Sequence, residues 1–574
     1  MLRPTTLSLL LLLSAPLSAF GQLFDDDFNA WPRRTSLGGT VAIMRQPTGM
    51  DRLAVLLRQP TAETQIIVLA DAETKMGTLA ALQESFATAR FTFGLLNAGS
   101  VKSTLSDDDR PDLLVLLTPA GVTPEGLSGQ ADSLSEYIGS GGRVALVGGV
   151  SYLAGQKVVG EKTAAGLNLL PMDIQQSTPA FDQAALLPVL AATPRTVGLH
   201  VSPDALLVVR NRIARIVGDG QSSFLLPSGP HHEVRLQTLR EPARGQRPPQ
   251  YLVDWTEWRR DSIDHTLPKF PPDKPPVPHV DKGTLLIVGG GGMPDGLMER
   301  FVELAGGKDA KLVYIPCTEE REVSPQQGMV RWWQRLGVAS AVTVHTKDRD
   351  RANSDAKFLA PLHDATGVWF GGGRQWNMAD SYYGTHAQQL MKNVLTRGGV
   401  IGGSSAGASI QARYLARATP IENFRIMAPG YERGGLGFIG GVAIDQHFSQ
   451  RGRQKDMTSL VNRYPQMLGI GLDEATAIEV QASRATVTGR GRVFFYDRNT
   501  RSADDTPDYV ALPAGGAYDL AARRVLVNPE TETETETETD QPATSAPTEP
   551  SSGPDKAATA QPDKQPAAAG SDGN

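Results

Sequence analysis

Three side chains in the last third of the chain have the types from which a serine nucleophile system is built. Ser405 stands in Gly403-Ser404-Ser405-Ala406-Gly407, a G-x-S-x-G turn; His447 closes Asp445-Gln446-His447, and Glu474 follows Asp473. A hydroxyl is a weak nucleophile at its free pKa and needs a base beside it. A neutral imidazole backed by a carboxylate is such a base. Ser405 would attack an acyl carbon, His447 would take and return the proton, and Glu474 would hold the imidazole's tautomer and stabilise its cation.

The elements that must deliver these groups follow from local pattern. The apolar run Val400-Ile401, the glycine turn and the helix-compatible stretch Ala408 to Leu415 predict a strand, a sharp elbow and a helix. Flanking glycines let the chain fold tightly enough to lift Ser405 Oγ out of the sheet, with the Ala406 N–H facing the developing oxyanion. His447 follows the apolar run Phe438 to Ile444, and Glu474 follows Met467 to Leu472. All three groups are therefore expected at strand ends. The run Val368-Trp369-Phe370 ends in Gly371-Gly372-Gly373-Arg374-Gln375, where glycine permits close backbone approach to a substrate. Gly373 N–H is the expected second oxyanion donor, with Gly372 as the alternative. Arg451 and Arg453 offer forks to a substrate carboxylate, and Asp445, beside Gln446, can pair with a guanidinium. The run Gly289 to Gly292 is not followed by G-x-x-x-x-G-K-[ST], so it is expected to turn a strand into its helix and not to bind phosphate.

The chain order Ser, His, Glu differs from that of α/β-hydrolases, which run Ser, acid, His. The strings GGSSAGA, DQHFSQRGR and GIGLDEATA, with the spacings between Ser405, His447 and Glu474, instead resemble the serine-peptidase family that contains cyanophycinase and the aspartyl dipeptidases. The resemblance runs from residue 283 to 527 and is dense only at the motifs. It implies an α/β fold with a flavodoxin-like parallel sheet related to class I glutamine amidotransferases, with serine where those enzymes use cysteine. It implies no metal or organic cofactor, and its G-G-x-Q pattern makes Gln375 a substrate contact. The substrate it implies is cyanophycin, a poly-aspartate chain bearing arginine on each β-carboxyl, or a related aspartyl peptide. The family leads one to expect arginine at position 456, where this chain has Asp456, so the substrate's side chains stay open.

An internal repeat extends the pattern. Gly39 to Ile43 matches Gly283 to Ile287, Gln65 to Leu69 matches Lys311 to Ile315, and Gly198 to Gly220 runs against Gly469 to Gly491 without a gap. Gly148-Gly149-Val150-Ser151 matches Gly402 to Ser405, so Ser151 is expected opposite Ser405. Gln176 is expected opposite His447, and Pro203 opposite Glu474. Residues 36–228 are thus read as a degenerate, non-catalytic copy, residues 229–281 as a proline-rich linker and residues 282–527 as the catalytic copy. Because the resembling enzymes are often homodimers, the two copies are expected to pack as an internal pseudo-dimer or to support a homodimer. A binding or scaffold protein is the alternative function class, opposed by one copy's retention of the whole triad. A glutamine amidotransferase is excluded because the only cysteine, Cys317, lies away from the elbow.

Bulk properties bound the rest. A net charge of −6 over 574 residues implies no basic surface, and no nucleic-acid partner is expected. Arg3, the apolar run Leu7 to Leu13 and the small-x-small site Ala19-Phe20-Gly21 have the form of a secretory signal peptide, residues 1–21, too short to span a membrane. A secreted or periplasmic protein without a membrane anchor is expected, and a single cysteine allows no disulfide within the chain. Residues 528–574, with Thr-Glu repeats and then a Pro/Ala/Ser/Asp-rich run, carry too little apolar surface to order and are expected to be disordered.

Overall fold

The computed structural model describes residues 37–530 except 58, 98, 107–109, 121–126, 161–163, 244–245, 247–250, 321, 419–420 and 422–424. The signal peptide and almost all of the tail expected above lie outside the described residues. No helix among the described residues is long and apolar enough to cross a membrane.

In the first half, near-continuous apolar runs form strands β1 (Thr40–Met44), β2 (Gln65–Ala70), β3 (Arg90–Leu95), β4 (Leu113–Leu117), β5 (Arg143–Val147), β6 (Leu170–Gln176), β7 (Val197–Val201), β8 (Leu206–Arg210) and β9 (Ile213–Val217). Every side chain of β1 and β4 is buried, as expected of strands covered on both faces. The second half contributes β10 (Val280–Val288), β11 (Lys311–Cys317), β12 (Ser340–Thr343), β13 (Gly367–Gly373), β14 (Val400–Ser404), β15 (Ile439–Gln446), β16 (Leu468–Leu472), β17 (Thr476–Ala482) and β18 (Arg484–Gly489). The main sheets run β3-β2-β4-β5-β1-β8-β9 and β12-β11-β13-β14-β10-β17-β18, the same order at an offset of nine strands. A smaller sheet in each half contains β6-β7 or β15-β16.

Strands β2 to β5 and β11 to β14 run parallel in the flavodoxin manner, with β1 or β10 taking the fifth place. The expected parallel sheets are in fact mixed. Strands β8 and β17 pair antiparallel with the first strand of each main sheet, and β9 and β18 pair antiparallel with them in turn. The connection sets the second of these pairings: Arg210 pairs with Ile213, so a two-residue loop joins β8 to β9, and only an antiparallel pair can be closed that way.

The expected linker 229–281 is corrected in its first part. Arg235–Arg240 joins the smaller sheet, Val253–Asp254 extends the main sheet, and α1 (Trp255–Asp264) is buried along its whole length. Asp254 caps α1 by accepting from the N–H groups of Thr256 and Glu257. Trp255 and Trp258 pack on Phe224, with ring centroids 6.0 and 5.7 Å apart. Apolar burial outweighs the nearby prolines until Leu267; from there to His279 the chain forms neither helix nor strand.

The two halves form one compact unit. Arg212, in the β8-β9 hairpin region of the first half, donates to Asp254 at 3.0 and 2.8 Å and to Asp380 of the second half at 2.7 Å, and also to Tyr431. Arg260 of α1 reaches the other Asp380 oxygen at 3.2 Å and the Gly430 carbonyl at 2.9 Å. Burial would raise the Asp380 pKa, but the charges of Arg212, Arg260 and Lys347 outweigh it and hold the carboxyl below its usual range. Asp380 lies in α2 (Gln375–Tyr382), the helix that follows the glycine end of β13.

Candidate active site

Strand β14 hands the chain to α3 (Ala406–Ser409) through Ser405, which has φ 57° and ψ −114°. A non-glycine residue is rarely held there, and the conformation turns the side chain away from the sheet. The Ser405 N–H donates to Val288 O at 2.9 Å, tying the elbow to β10 and leaving Ala406 as the first N–H beyond it. Ser405 Oγ lies 2.8 Å from His447 Nε2, and His447 Nδ1 lies 2.6 Å from Glu474 Oε1. Burial, helped by the Arg451 charge, lowers the His447 pKa below its ordinary value against the opposing Glu474 hydrogen bond. The imidazole is therefore neutral near pH 7, the form a general base requires.

The turns that carry these groups are fastened to each other. Asp473 Oδ1 accepts from the N–H and hydroxyl of Ser449, and its Oδ2 accepts from Arg492 N–H at 3.2 Å. Gln450 Oε1 accepts from the Glu474 N–H at 3.0 Å. The Gly289–Gly292 run does more than turn a strand. His447 N–H donates to Gly289 O and Ala475 N–H to Gly290 O, both at 2.8 Å. A Cβ on Gly290 would lie 2.5 Å from His447 Cε1, and one on Gly291 would lie 2.2 Å from Glu474 Cδ. Glycine here is what lets the backbone lie against the imidazole and the carboxylate. Sequence reasoning missed this role, because no local signal says which distant side chain fills the space of an absent Cβ.

The expected substrate contacts divide by burial. Arg451 is exposed, one turn beyond His447, and its N–H donates to His447 O at 3.1 Å. Arg453 is corrected: only 5% exposed, it donates to Asp445 Oδ1 and to the Gln446 carbonyl, both at 2.7 Å. Asp445 and Gln446, each 1% exposed, and Gln375 are likewise buried and do not present free groups to a substrate. Arg417, which the sequence reading did not single out, donates to Asp445 Oδ2 at 2.7 Å and to Asp456 Oδ2 at 2.6 Å. Gln375 Nε2 holds the Arg417 carbonyl at 2.8 Å. Asp456, the sign reversal noted above, is thus a partner of Arg417, and the cluster is a wall in which two guanidiniums and two carboxylates compensate one another.

At the end of β13, a Cβ on Gly372 would approach Ser405 Cβ to 3.4 Å, whereas one on Gly373 would meet Cys317 O at 2.5 Å, so Gly372 borders the elbow and Gly373 lies against β11. Burial pushes the Cys317 thiol up to about 12, and its Sγ donates to Arg374 O at 2.7 Å; it stays a thiol away from the triad.

The strand ladders correct two counterparts in the first half. Ser404 pairs with Val288 where Val147 pairs with Met44, which sets Gly148 opposite Ser405, not Ser151. Gly148 keeps a positive φ of 82° but has no hydroxyl. Ser151 is buried, its Oγ donating to Gly148 O at 2.6 Å. Ala443 pairs with Gly469 where Ile174 pairs with Gly198, which sets Thr178 opposite His447, not Gln176. Pro203 remains opposite Glu474. Opposite Gly289 stands Arg45, buried, with its guanidinium 3.7 Å from the Tyr152 ring, whereas a Cβ on Gly289 would meet Asp473 O at 2.0 Å.

The model of peptidase family S51 matches residues 285–488. The chain is 27% identical over 213 residues to a cyanophycinase of Geminocystis herdmanii, covering 36% of this chain and 76% of that one. A cyanophycinase of Trichormus variabilis is 27% identical over 234 residues, covering 38% and 76%. A crystal structure of a peptidase from an acI-B1 Actinobacterium is 21% identical with a TM-score of 0.32, covering 42% of this chain and 97% of that one. Through the stretch that holds Ser405, His447 and Glu474, this chain is similar to peptidase family S51 and to cyanophycinases, a likeness that supports a serine-type peptidase.

Proposed function

We propose that this protein is a secreted or periplasmic exopeptidase that hydrolyses cyanophycin or a related aspartyl peptide through an acyl-enzyme on Ser405. The observation that carries the reading is the pair of hydrogen bonds linking Ser405 Oγ, His447 and Glu474 at 2.8 and 2.6 Å. Neutral His447 takes the hydroxyl proton as Oγ attacks the acyl carbon, and Glu474 accepts from Nδ1–H and stabilises the imidazolium. Ala406 N–H and Gly373 N–H hold the oxyanion, with Gly372 lining the approach. His447 then gives its proton to the leaving amine, and water, deprotonated by the same imidazole, releases the acid.

Arg451, exposed beside His447, is the guanidinium placed to meet a substrate carboxylate. The first half is a duplicated, non-catalytic copy, a reading supported by the shared strand order and by Gly148, Thr178 and Pro203 at the positions of the triad. The charge-then-apolar-then-small order of residues 1–21 supports export. The test is incubation of the purified protein with cyanophycin, β-Asp-Arg and α-Asp-X dipeptides. Ser405→Ala and His447→Ala should each lower turnover by about 10⁴-fold or more, and Glu474→Gln by less. Near-normal turnover by Ser405→Ala would overturn the mechanism, and release from α-Asp-X alone would overturn the cyanophycin assignment.

A further inference from the structure

Away from the triad, His232, Asp261 and His265 bring two imidazoles and a carboxylate together, with one ligand atom of each lying within 4.8 Å of the others. It is the one such group of three among the described residues. Asp261 and His265 are one helical turn apart at the end of α1, where His265 N–H donates to Asp261 O. His265 Nδ1 lies 2.7 Å from the Pro227 carbonyl, so Nδ1 carries the hydrogen and Nε2 presents its lone pair. That Nε2 stands 3.7 Å from Asp261 Oδ1. The separation is too long for a hydrogen bond, yet close to the spacing of two ligands each about 2.0–2.2 Å from one ion. The other Asp261 oxygen accepts from Arg235 Nη1 at 2.6 Å, which orients the carboxylate.

The third member is held by a turn. Gly229 N–H donates to His232 O at 2.9 Å, and a Cβ on Gly229 would lie 1.9 Å from His265 O, so this glycine lets the turn rest on the end of α1. The His232 ring faces that of His265 with centroids 4.6 Å apart. Half-buried His232 is the most accessible of the three, giving an ion a way in and a torsion that brings its nitrogen to bonding distance. Two guanidiniums neighbour the group, and each has a carboxylate partner: Arg235 pairs with Glu257 at 2.7 Å, and Arg433, whose charge reaches His232, pairs with Asp264 at 3.3 Å.

We infer that His232, Asp261 and His265 bind a divalent cation of the zinc class, with water as the fourth ligand. Two imidazole nitrogens and one carboxylate oxygen suit zinc better than calcium or magnesium, which take oxygen ligands. The orienting partners, Pro227 O behind His265 and Arg235 behind Asp261, are what such a site needs beyond its ligands. The ion would fasten the Gly229–His232 turn to the end of α1.

The test uses the full untagged protein, stripped with chelator and titrated with zinc chloride by calorimetry, with metal content by mass spectrometry and cobalt(II) as a spectroscopic stand-in. The wild type should bind one zinc per chain and give the visible bands of tetrahedral cobalt. His232→Ala should weaken binding by at least about 100-fold with an unchanged circular dichroism spectrum. His447→Ala should still bind one zinc, which separates this site from the triad imidazole. No zinc uptake by the wild type, or His232→Ala binding as tightly as wild type, would overturn the inference. The wild-type titration decides the matter even if the variant fails to fold.

Discussion

Replacing Gly290 with alanine tests whether the glycine run after β10 sets the geometry of the triad. The added methyl would lie 2.5 Å from His447 Cε1, 2.6 Å from Nε2 and 3.1 Å from Ser405 Cβ. Carbon atoms rest about 3.5–4.0 Å apart, so the imidazole must retreat by about 1 Å. The 2.8 Å bond from Ser405 Oγ to Nε2 then opens to about 3.8 Å, beyond hydrogen-bond range. A misplacement of that size costs about 10²-fold in rate. Alanine at the φ of 93° found here also adds about 1–2 kcal/mol of backbone strain, which lowers stability without touching the imidazole. Gly307→Ala separates the two effects: its φ is 61°, and nothing lies within 4 Å of the added Cβ. The assay is kcat/KM on β-Asp-Arg beside thermal unfolding. Both variants should unfold earlier, and only Gly290→Ala should lose about 100-fold in kcat/KM. If Gly290→Ala turns over as fast as Gly307→Ala, the contact does not govern the triad and the reasoning is refuted.

The remaining expectations concern charge. Because burial lowers the His447 pKa and the neutral imidazole is the base, kcat/KM should fall only as pH drops below 6.5. Arg451→Gln removes a positive charge that disfavours the imidazolium, so it should move this acid limb to higher pH; an unmoved limb would contradict the assignment. Arg453→Leu leaves buried Asp445 with Arg417 alone and should cost about 3 kcal/mol in urea unfolding, whereas exposed Arg451→Leu should raise KM at unchanged stability. Arg212→Ala strips the bidentate partner from Asp254 and one partner from Asp380, both buried, and should cost about 3–5 kcal/mol. Unchanged unfolding in that variant would mean that the network does not hold the halves together.

What could be read along the chain was local. The elbow around Ser405 was legible because G-x-S-x-G, an apolar run before it and small residues after it are all near neighbours. The positions of His447 and Glu474 beyond apolar runs were legible for the same reason. The repeat was visible as matching strings, yet string matching aligned Ser151 with Ser405 and Gln176 with His447 by following similar letters across gaps. The ladders place Gly148 and Thr178 there instead, because register is counted from hydrogen-bonded partners on a neighbouring strand. The antiparallel pairing of β8 with β9 was missed although its cause, a two-residue connection after Arg210, was already in the chain.

By itself, then, the sequence determined the three candidate groups, their strand-end placement and the repeated α/β pattern, since each depends on residue type and short-range backbone preference. Only the tertiary structure decided which glycines lie against the triad and which charges remain in water. Arg451 and Arg453 are two residues apart and equally charged, but one is exposed beside His447 and the other is neutralised by Asp445 inside the wall. The same holds for Trp255 to Asp264, polar in composition and flanked by prolines, yet wholly buried between the halves because Arg212, Arg260, Asp254 and Asp380 compensate one another there. A side chain's charge is a property of the residue, whereas its desolvation and its partner are set by segments far away in sequence, which only folding brings into contact.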